Sequence, residues 1–327
     1  GTEHYALKND GIVSGNLDID FTYAGETAAD FNGSSGTFQH VRVNAASADV
    51  NQDGPATLAS LTVVANSTFD TGNNTLTIEE GNLSVSGTLL LNNATVVVSD
   101  NSSALSISNT GTVTCANTNL TVNALSLGQG TFTAPSASGS FIIDGEKDGL
   151  AFDYDGNGYV HNSGTIEIRT AAATKLDFVP NDSAHIDINN VKINHASCDA
   201  FIEGNTSIAG NLTITLGKLT CTTEAGDART LTVAGHTEIG PASGSADQAT
   251  LTATSQDLVL GSGITNQYGL IVNQGGTFVG GSGAHTLGGL KVANNSNAKC
   301  TLTSGVTTIN GEHSSDNYAI NIEGSDS

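Results

Sequence analysis

The sequence predicts an all-β fold, a parallel β-solenoid with the right-handed coils of a β-helix. Three features indicate this fold: short runs of alternating apolar and polar residues, closely spaced turn residues between the runs, and self-similar segments along the chain. Only 5% of the 327 residues are aromatic and 37% are hydrophobic. A core with so few rings must be built mainly from stacked Val, Ile and Leu side chains, as in repeat folds.

The strands are predicted from the alternation. Each run places its apolar side chains on one face, because successive side chains of a strand point to opposite sides. The separators are rich in Gly, Asn and Asp, which turn the chain tightly. A coil of about 22 residues, stacked in parallel on the next, suits strands this short. The runs are Leu61-Thr62-Val63, Leu76-Thr77-Ile78, Leu83-Ser84-Val85, Leu89-Leu90-Leu91, Val96-Val97-Val98, Leu105-Ser106-Ile107 and Leu120-Thr121-Val122.

A tandem β-sandwich array is the alternative fold. Units of about 150 residues exceed the ~100 residues of an immunoglobulin-like domain only moderately. The chain lacks Trp, however, and shows no long loops between hairpins. These two features favour the solenoid.

Similar segments recur along the chain and suggest tandem units. We predict a first solenoid unit over residues 1–149, a second over 150–317, and the start of a third unit or a connecting tail over 318–327. The absence of Met leads us to expect a mature product or an excised part of a longer protein. The similar segments are Tyr5-Ala6-Leu7 with Asp10-Gly11, Leu150-Ala151-Phe152 with Asp155-Gly156, Tyr318-Ala319-Ile320 with Glu323-Gly324, and the stretches 40–47 and 190–197.

The charge excludes some classes of partner. The chain carries 32 acidic and 10 basic side chains, a formal net charge of -22. Such a surface repels nucleic-acid phosphates and anionic lipid. No apolar run reaches the roughly 18 residues that cross a bilayer. We therefore expect no nucleic-acid partner and no membrane insertion.

The four cysteines are too widely spaced for a zinc site, since no CxxC pair occurs. Two disulfides are possible outside the cell. Cys198 aligns with Ala48 of the other unit, however, so no bridge belongs to the repeat. We therefore predict buried free thiols.

Two segments resemble calcium-binding loops. Asp49, Asn51 and Asp53 fit the DxNxDG pattern, and Asp153, Asp155 and Asn157 place oxygen donors at the same three positions. Alternate oxygen donors before a Gly turn can surround a hard cation. These residues are the predicted metal ligands, and calcium is the one candidate cofactor.

Several features weaken the calcium prediction. The twelfth positions are Ser60 and Gly164, so the bidentate acid of an EF-hand is missing. The aligned unit has Phe201 at the third ligand position of the first segment. We therefore favour the interpretation that both segments are polar turns carrying acidic side chains, and we predict that the protein requires no cofactor.

No catalytic constellation is predicted. Asp18 and Asp20 would share one strand face about 7 Å apart, which resembles the spacing of glycosidase acids. Their counterparts in the second unit are Glu167 and Arg169, which suit a charged solvent face better. The chain has no HExxH, GxSxG or Walker motif. We therefore expect a protein that is not an enzyme.

Three segments carry a resemblance to known proteins. The stretch 159–168 (YVHNSGTIEI), Gly210-Asn211-Leu212-Thr213-Ile214-Thr215 and Leu231-Thr232-Val233-Ala234-Gly235 are similar to repeats of β-helical virion-fibre, surface-adhesin and filament proteins of marine phages and environmental bacteria. The resemblance implies an exposed structural role outside a cell, on a cell surface or on a virion, and it transfers no functional residue.

The functional expectation is a non-enzymatic fibre or filament that associates end to end or as a homo-oligomer. The alternative is an adhesin or tail-fibre module that binds a surface glycan or receptor, with Tyr154, Tyr159 and Tyr268 as candidate stacking platforms. A polysaccharide-degrading β-helix enzyme is the third hypothesis.

Overall fold

The computed structural model describes most of the chain and contains no helix there. The described residues are 5–8, 17–22, 29–33, 37–156, 158–178, 186–222, 229–241, 249–265, 267–293, 297–311 and 318–323. They form two compact units, Gly1–Thr165 and Ile166–Ser327. The ladders between the strands are parallel, and the single described antiparallel contact is an isolated bridge between Lys147 and Leu150. The predicted parallel β-solenoid is therefore confirmed.

The strands of the first unit are short. The described strands are β1 Tyr5–Lys8, β2 Ile19–Phe21, β3 Ala29–Asn32, β4 Thr37–Val43, β5 Asp49–Gln52, β6 Ala56–Val63, β7 Thr68–Asp70, β8 Leu76–Ile78, β9 Leu83–Val85, β10 Thr88–Asn92, β11 Thr95–Val98, β12 Leu105–Ile107, β13 Thr112–Cys115, β14 Asn119–Val122, β15 Leu125–Leu127, β16 Thr131–Thr133, β17 Ser140–Ile143, β18 Leu150–Tyr154 and β19 Gly158–Val160.

The second unit has two longer strands among short ones. Its described strands are β20 Thr165–Ile168, which starts at the boundary, β21 Ala173–Asp177, β22 Asp187–Ile188, β23 Asn190–Glu203, β24 Thr206–Ile208, β25 Leu212–Thr222, β26 Thr230–Val233, β27 Thr237–Ile239, β28 Ala249–Ala253, β29 Asp257–Leu260, β30 Leu270–Val272, β31 Gly276–Val279, β32 His285–Leu287, β33 Leu290–Val292, β34 Lys299–Thr301, β35 Thr307–Ile309 and β36 Ile320–Ile322.

Each coil of the first unit has three sides. One side is an eight-stranded sheet in the order β1-β3-β5-β7-β10-β13-β16-β19. From β7 onward, two further strands complete each coil: β8 and β9, then β11 and β12, β14 and β15, and β17 and β18. Strands inside these sheets therefore pair with the strand at the same position in the coil before and in the coil after, whereas β1 and β19 end the eight-stranded sheet.

The second unit repeats the three-sided plan. One side is a six-stranded sheet in the order β22-β24-β26-β29-β32-β35. The long strands β23 and β25 each run along both remaining sides, because residues 191–193 pair with 212–214 and residues 199–203 pair with 218–222. Register shifts between these two stretches mark the corner.

The core of each unit consists of columns of stacked side chains. In the first unit, Leu83, Leu105, Leu125 and Phe152 are partners in successive coils and are fully buried. Burying one such side chain contributes about 1.5–3 kcal/mol. Because every coil adds members to the columns, each coil is stabilised by its two neighbours.

Most strand predictions agree with this fold. All seven predicted runs lie in strands, β6, β8 to β12 and β14. The parallel ladders exclude the sandwich alternative, whose sheets are antiparallel. Coil lengths vary around the expected value, from 19 residues between Val113 and Phe132 to 33 between Thr237 and Leu270. Right-handedness stays a prediction.

The similar segments occupy different positions in the coil. Tyr5-Ala6-Leu7 lies in β1 of the eight-stranded sheet, whereas Leu150-Ala151-Phe152 lies in β18, which pairs with β15 outside that sheet. The compact units meet at 165/166. The sequence-based units 1–149, 150–317 and 318–327 stay predictions.

The four cysteines are free, as predicted, and three of them are buried. Burial raises the pKa of the Cys115, Cys198 and Cys221 thiols to about 12, and that of Cys300 to about 11. These thiols act as small apolar side chains, since a protonated thiol is neither a good nucleophile nor a good metal ligand.

One histidine occupies an inward position of the second unit. His285 pairs with Leu258 on one side and Thr307 on the other, and its side chain is buried. Neither ring nitrogen makes a hydrogen bond, and the nearest aromatic ring is Phe278. Burial lowers the pKa of His285, although the charge of Asp257 and the Gly280 main chain oppose the shift. The folded state therefore favours the neutral ring.

This histidine makes the second unit sensitive to acid. Below the ordinary histidine pKa of 6.5 the unfolded chain binds a proton that the folded chain resists, so the free energy of unfolding falls as the pH falls through that value. We expect His285→Leu to remove this part of the pH dependence. Urea unfolding of both proteins at about pH 8 and pH 5, on either side of the histidine range, measures the difference. Equal losses of stability in both proteins would contradict the prediction.

Candidate functional site

The first predicted calcium segment begins as a strand, which corrects the interpretation as a turn. Asp49 and Asn51 lie in β5 and point outward, while Val50 and Gln52 are buried between them. Asp53 follows the strand and is exposed. Alternate residues of a strand are about 7 Å apart, so these side chains do not converge as in an EF-hand loop. Burial and the charge of Asp70 raise the pKa of Asp49.

The second predicted calcium segment lies at the end of β18. Ser126 Oγ–H donates a hydrogen bond to Asp153 Oδ2 at 3.0 Å. Burial raises the pKa of Asp153; the Ser126 hydrogen bond opposes this shift and the charge of Asp155 adds to it. Asp155 is exposed, and Asn157 lies outside the described residues.

Among the side chains that the structure describes, no group of three or more His, Cys, Asp and Glu is placed to hold a metal ion. Calcium binding therefore stays a prediction that rests on the sequence pattern.

The paired acids of the sequence lie on exposed surface. Asp18 Oδ1 accepts a hydrogen bond from the His40 main chain at 3.3 Å, and Asp20 Oδ2 accepts one from Asn44 Nδ2 at 3.1 Å. Each carboxylate thus links one coil to the next.

Their counterpart Glu167 forms a charged cluster in the second unit. Arg169 Nε and Asn194 Nδ2 donate to Glu167 Oε1 at 2.7 and 2.6 Å, and Lys192 Nζ lies 3.5 Å away. Burial raises the pKa of Glu167, but these hydrogen bonds and positive charges outweigh it and lower the pKa. An ionised, fully paired carboxylate suits a structural role better than proton transfer.

The three candidate stacking tyrosines belong to the core. Tyr154 and Tyr268 are buried. The ring of Tyr159 packs against Phe132 and Phe152, with centroid distances of 6.0 and 5.7 Å. Tyr154 and Tyr268 therefore offer no open ring face, and the two neighbouring rings cover part of the half-buried Tyr159, so an adhesin would need a different site.

A strap crosses the surface of the first unit. We use this name for residues 144–149, which connect β17 to β18. Asp148 and Gly149 both have positive φ, 55° and 85°, and Lys147 and Leu150 exchange two main-chain hydrogen bonds of 2.9 Å. This is the geometry of a two-residue hairpin turn of type I′. The strap therefore ends in a tight, defined turn.

Two asparagines hold the strap on the coils. Asn123 is buried, and its Nδ2 donates to the main-chain oxygens of Ser103 and Glu146 at 3.0 and 2.8 Å. Lys147 Nζ donates to Asn82 Oδ1 at 3.3 Å. Asn82 precedes β9, so the Lys147 side chain reaches back across three coils from β18.

A cleft of about 250 Å³ lies beside the strap. One wall is a column of outward side chains that are partners in successive coils, Ser106, Ser126 and Asp153. The other wall is the hairpin turn. The cleft combines the carboxyl groups of Asp148 and Asp153, the Lys147 side chain and two hydroxyls over a floor of small and aliphatic residues. The lining residues are Ala104, Ser106, Ala124, Leu125, Ser126, Lys147, Asp148, Leu150 and Asp153.

The hydroxyl column continues beyond the cleft. Ser84 is the partner of Ser106, and Thr62 is the partner of Ser84. Partners in adjacent coils lie about 4.8 Å apart. The surface therefore presents hydroxyl groups at regular spacing along the coil axis.

Sequence reasoning singled out Asp153 but missed the rest of the cleft. The Asp148-Gly149 dipeptide is the strongest short signal for a two-residue hairpin and could have identified the turn. The two walls of the cleft lie side by side because Asn82 and Asn123 hold the strap on the coils. No local sequence pattern predicts these asparagine contacts.

Two other surfaces are formed mainly by uncharged side chains. On the outer face of the eight-stranded sheet, Thr68, Thr88, Thr112 and Thr131 form a column. The second unit has a cleft of about 210 Å³ between β29 and β32, whose walls contain Ser262, Thr286 and Asn310 but no charged side chain. Of these surfaces, the strap cleft has the most varied chemistry.

Within the described residues, no helix is long and apolar enough to cross a membrane. Comparison with known proteins gives no match, whether with family models, curated proteins or solved structures.

Proposed function

We propose that the protein is a non-enzymatic structural element of a fibre or filament outside a cell or on a virion. The in-register ladders of each unit support this role, because a stack of coils with continuous aliphatic columns resists bending. The net charge of -22 supports it as well, since mutual repulsion keeps such a surface soluble.

The observation that carries the proposal is an exposed coil edge in the second unit. Ile320 and Ile322 are the partners of Leu290 and Val292 in the preceding coil. Leu290 and Val292 are 2% and 8% exposed, whereas Ile320 and Ile322 are 47% and 68% exposed. Residues at core positions are thus open to solvent. Leu302, Val306 and Tyr318 add exposed apolar surface in the same region.

An edge of this kind accepts a further parallel strand. Its strands β34, β35 and β36 pair on one side with β31, β32 and β33. Open strand edges promote association, and burial of the exposed columns would stabilise it. A further coil, from a continuation of the chain or from a second copy, would cover this edge, and a second copy would give the end-to-end assembly that we propose.

Negative-stain electron microscopy and analytical ultracentrifugation of the purified chain test the proposal. We expect end-to-end filaments, and we expect Ile322→Asp to abolish them, since a buried unpaired charge is costly. Val160→Asp is the matched control. Val160 is exposed and its neighbour in β19, Tyr159, packs against core rings, so the Val160 side chain points outward and the same charge is added there without burial. A monomeric wild type, or an Ile322→Asp protein that still assembles, would overturn the proposal. Adding calcium or a chelator tests the calcium segments in the same experiment.

The second candidate function is a glycan- or receptor-binding adhesin. The strap cleft favours it, because it is a concave site in which groups of different chemistry converge.

A further inference from the structure

The strap cleft has the chemistry of a site for a hydroxyl-rich ligand. Asp153 offers carboxyl oxygens as acceptors, Lys147 offers N–H donors, and the Ser106 and Ser126 hydroxyls can do both. A ligand with several adjacent hydroxyl groups can satisfy all four. We propose that the cleft binds one sugar residue of a neutral glycan.

The polar groups of the cleft are held in place by the fold. Asp153 accepts the hydrogen bond from Ser126, and Lys147 is tied to Asn82. The hairpin turn fixes the backbone between Lys147 and Leu150. A preorganised site loses less side-chain entropy when a ligand binds.

The charge of the cleft and of the whole chain favours a neutral ligand over an anionic one. Two acids, Asp148 and Asp153, face one base, Lys147, and the whole chain carries a net charge of -22. An anionic polysaccharide is repelled by this field. A neutral sugar pays no such penalty and uses the same hydrogen-bonding groups.

The size and surroundings of the cleft favour a chain over a single sugar. A space of about 250 Å³ accommodates one pyranose residue. Outside it, the hydroxyl column continues over Ser84 and Thr62. The spacing of about 4.8 Å per coil is close to the length of one residue in an extended glycan. The next sugars would thus meet one hydroxyl group per coil.

Binding of defined oligosaccharides tests this inference. The neutral probes are maltohexaose, cellohexaose, β-1,4-mannohexaose and N-acetylchitohexaose, and hexagalacturonate is the anionic comparison. Saturation-transfer NMR detects binding, and calorimetry measures it. We expect the wild type to bind at least one neutral probe and to leave hexagalacturonate unbound.

Two kinds of variant locate the site. Ser106→Phe fills the cleft, whereas Thr112→Phe places the same ring on the eight-stranded sheet; both positions face outward. Asp153→Asn and Lys147→Gln change single polar groups with little change of shape. We expect Ser106→Phe to abolish binding, each polar variant to weaken it about tenfold or more, and Thr112→Phe to leave it unchanged.

Three results would overturn the inference: no neutral probe binds, hexagalacturonate binds as well as the neutral probes, or Ser106→Phe binds like the wild type. Circular dichroism shows whether each variant is folded. If Ser106→Phe does not fold, Asp153→Asn and Lys147→Gln test the site in its place. The inference does not depend on the filament proposal. Electron microscopy of Ser106→Phe separates the two, because its filaments should match those of the wild type whether or not sugar binds.

Discussion

Leu89→Ala is expected to lower the free energy of unfolding by about 3 kcal/mol, whereas Leu90→Ala costs about 1 kcal/mol or less. The two leucines are neighbours in β10. Leu89 is fully buried in a column with Phe69 and Val113, while the Leu90 side chain points outward and is partly exposed. Truncating Leu89 removes apolar contacts and leaves a cavity between two coils, a cost that Leu90 does not carry.

Urea unfolding followed by circular dichroism measures both variants. The pair is closely matched, because the chemical change and the strand are the same and only the direction of the side chain differs. Equal losses of stability would contradict the alternation on which the solenoid prediction rests.

Gly281→Ala is expected to cost about 2–4 kcal/mol through backbone strain and steric clash together. Gly281 has a φ of 63°, and a Cβ atom there would lie 2.1 Å from the main-chain oxygens of both Ala253 and Thr254. These oxygens belong to the preceding coil and cannot move without disturbing its ladder. The alanine must therefore displace one coil from the next.

Gly72→Ala is the control that measures the cost of backbone strain without the steric clash. Its φ is 58°, but the nearest atom to an added Cβ is 3.6 Å away. We expect a cost of about 1 kcal/mol there. Hydrogen exchange should show faster exchange in β31 and β34 of Gly281→Ala, with β28 affected as well. A Gly281→Ala protein no less stable than Gly72→Ala would mean that the coils tolerate a side chain at this contact.

Some of the candidate site could be predicted locally and some could not. The alternation of Leu83-Ser84-Val85 and Leu105-Ser106-Ile107 indicates that both serines point outward, and the structure places them as partners. In Asp49-Val50-Asn51-Gln52 the same alternation exists but is hidden, because the inward residue Gln52 is polar. Its side chain is buried and donates to the main-chain oxygens of Gly54 and Thr75 at 2.8 and 2.7 Å. Those partners satisfy the Nε2 donors and let a polar residue occupy a core position, although Gln52 Oε1 is buried without a hydrogen-bond partner.

The sequence by itself determined the fold class, the positions of the short strands and the side to which most of their residues point. These are local properties, since a period of two and the conformational freedom of Gly, Asn and Asp act within a few residues. The pairing of the strands, the position of His285 between Leu258 and Thr307, and the contact of Lys147 with Asn82 depend on the tertiary structure. Such contacts join residues one or more coils apart, and the number of residues per coil varies from 19 to 33. The register between coils is set by the burial of whole columns of side chains, so it cannot be predicted from any single segment.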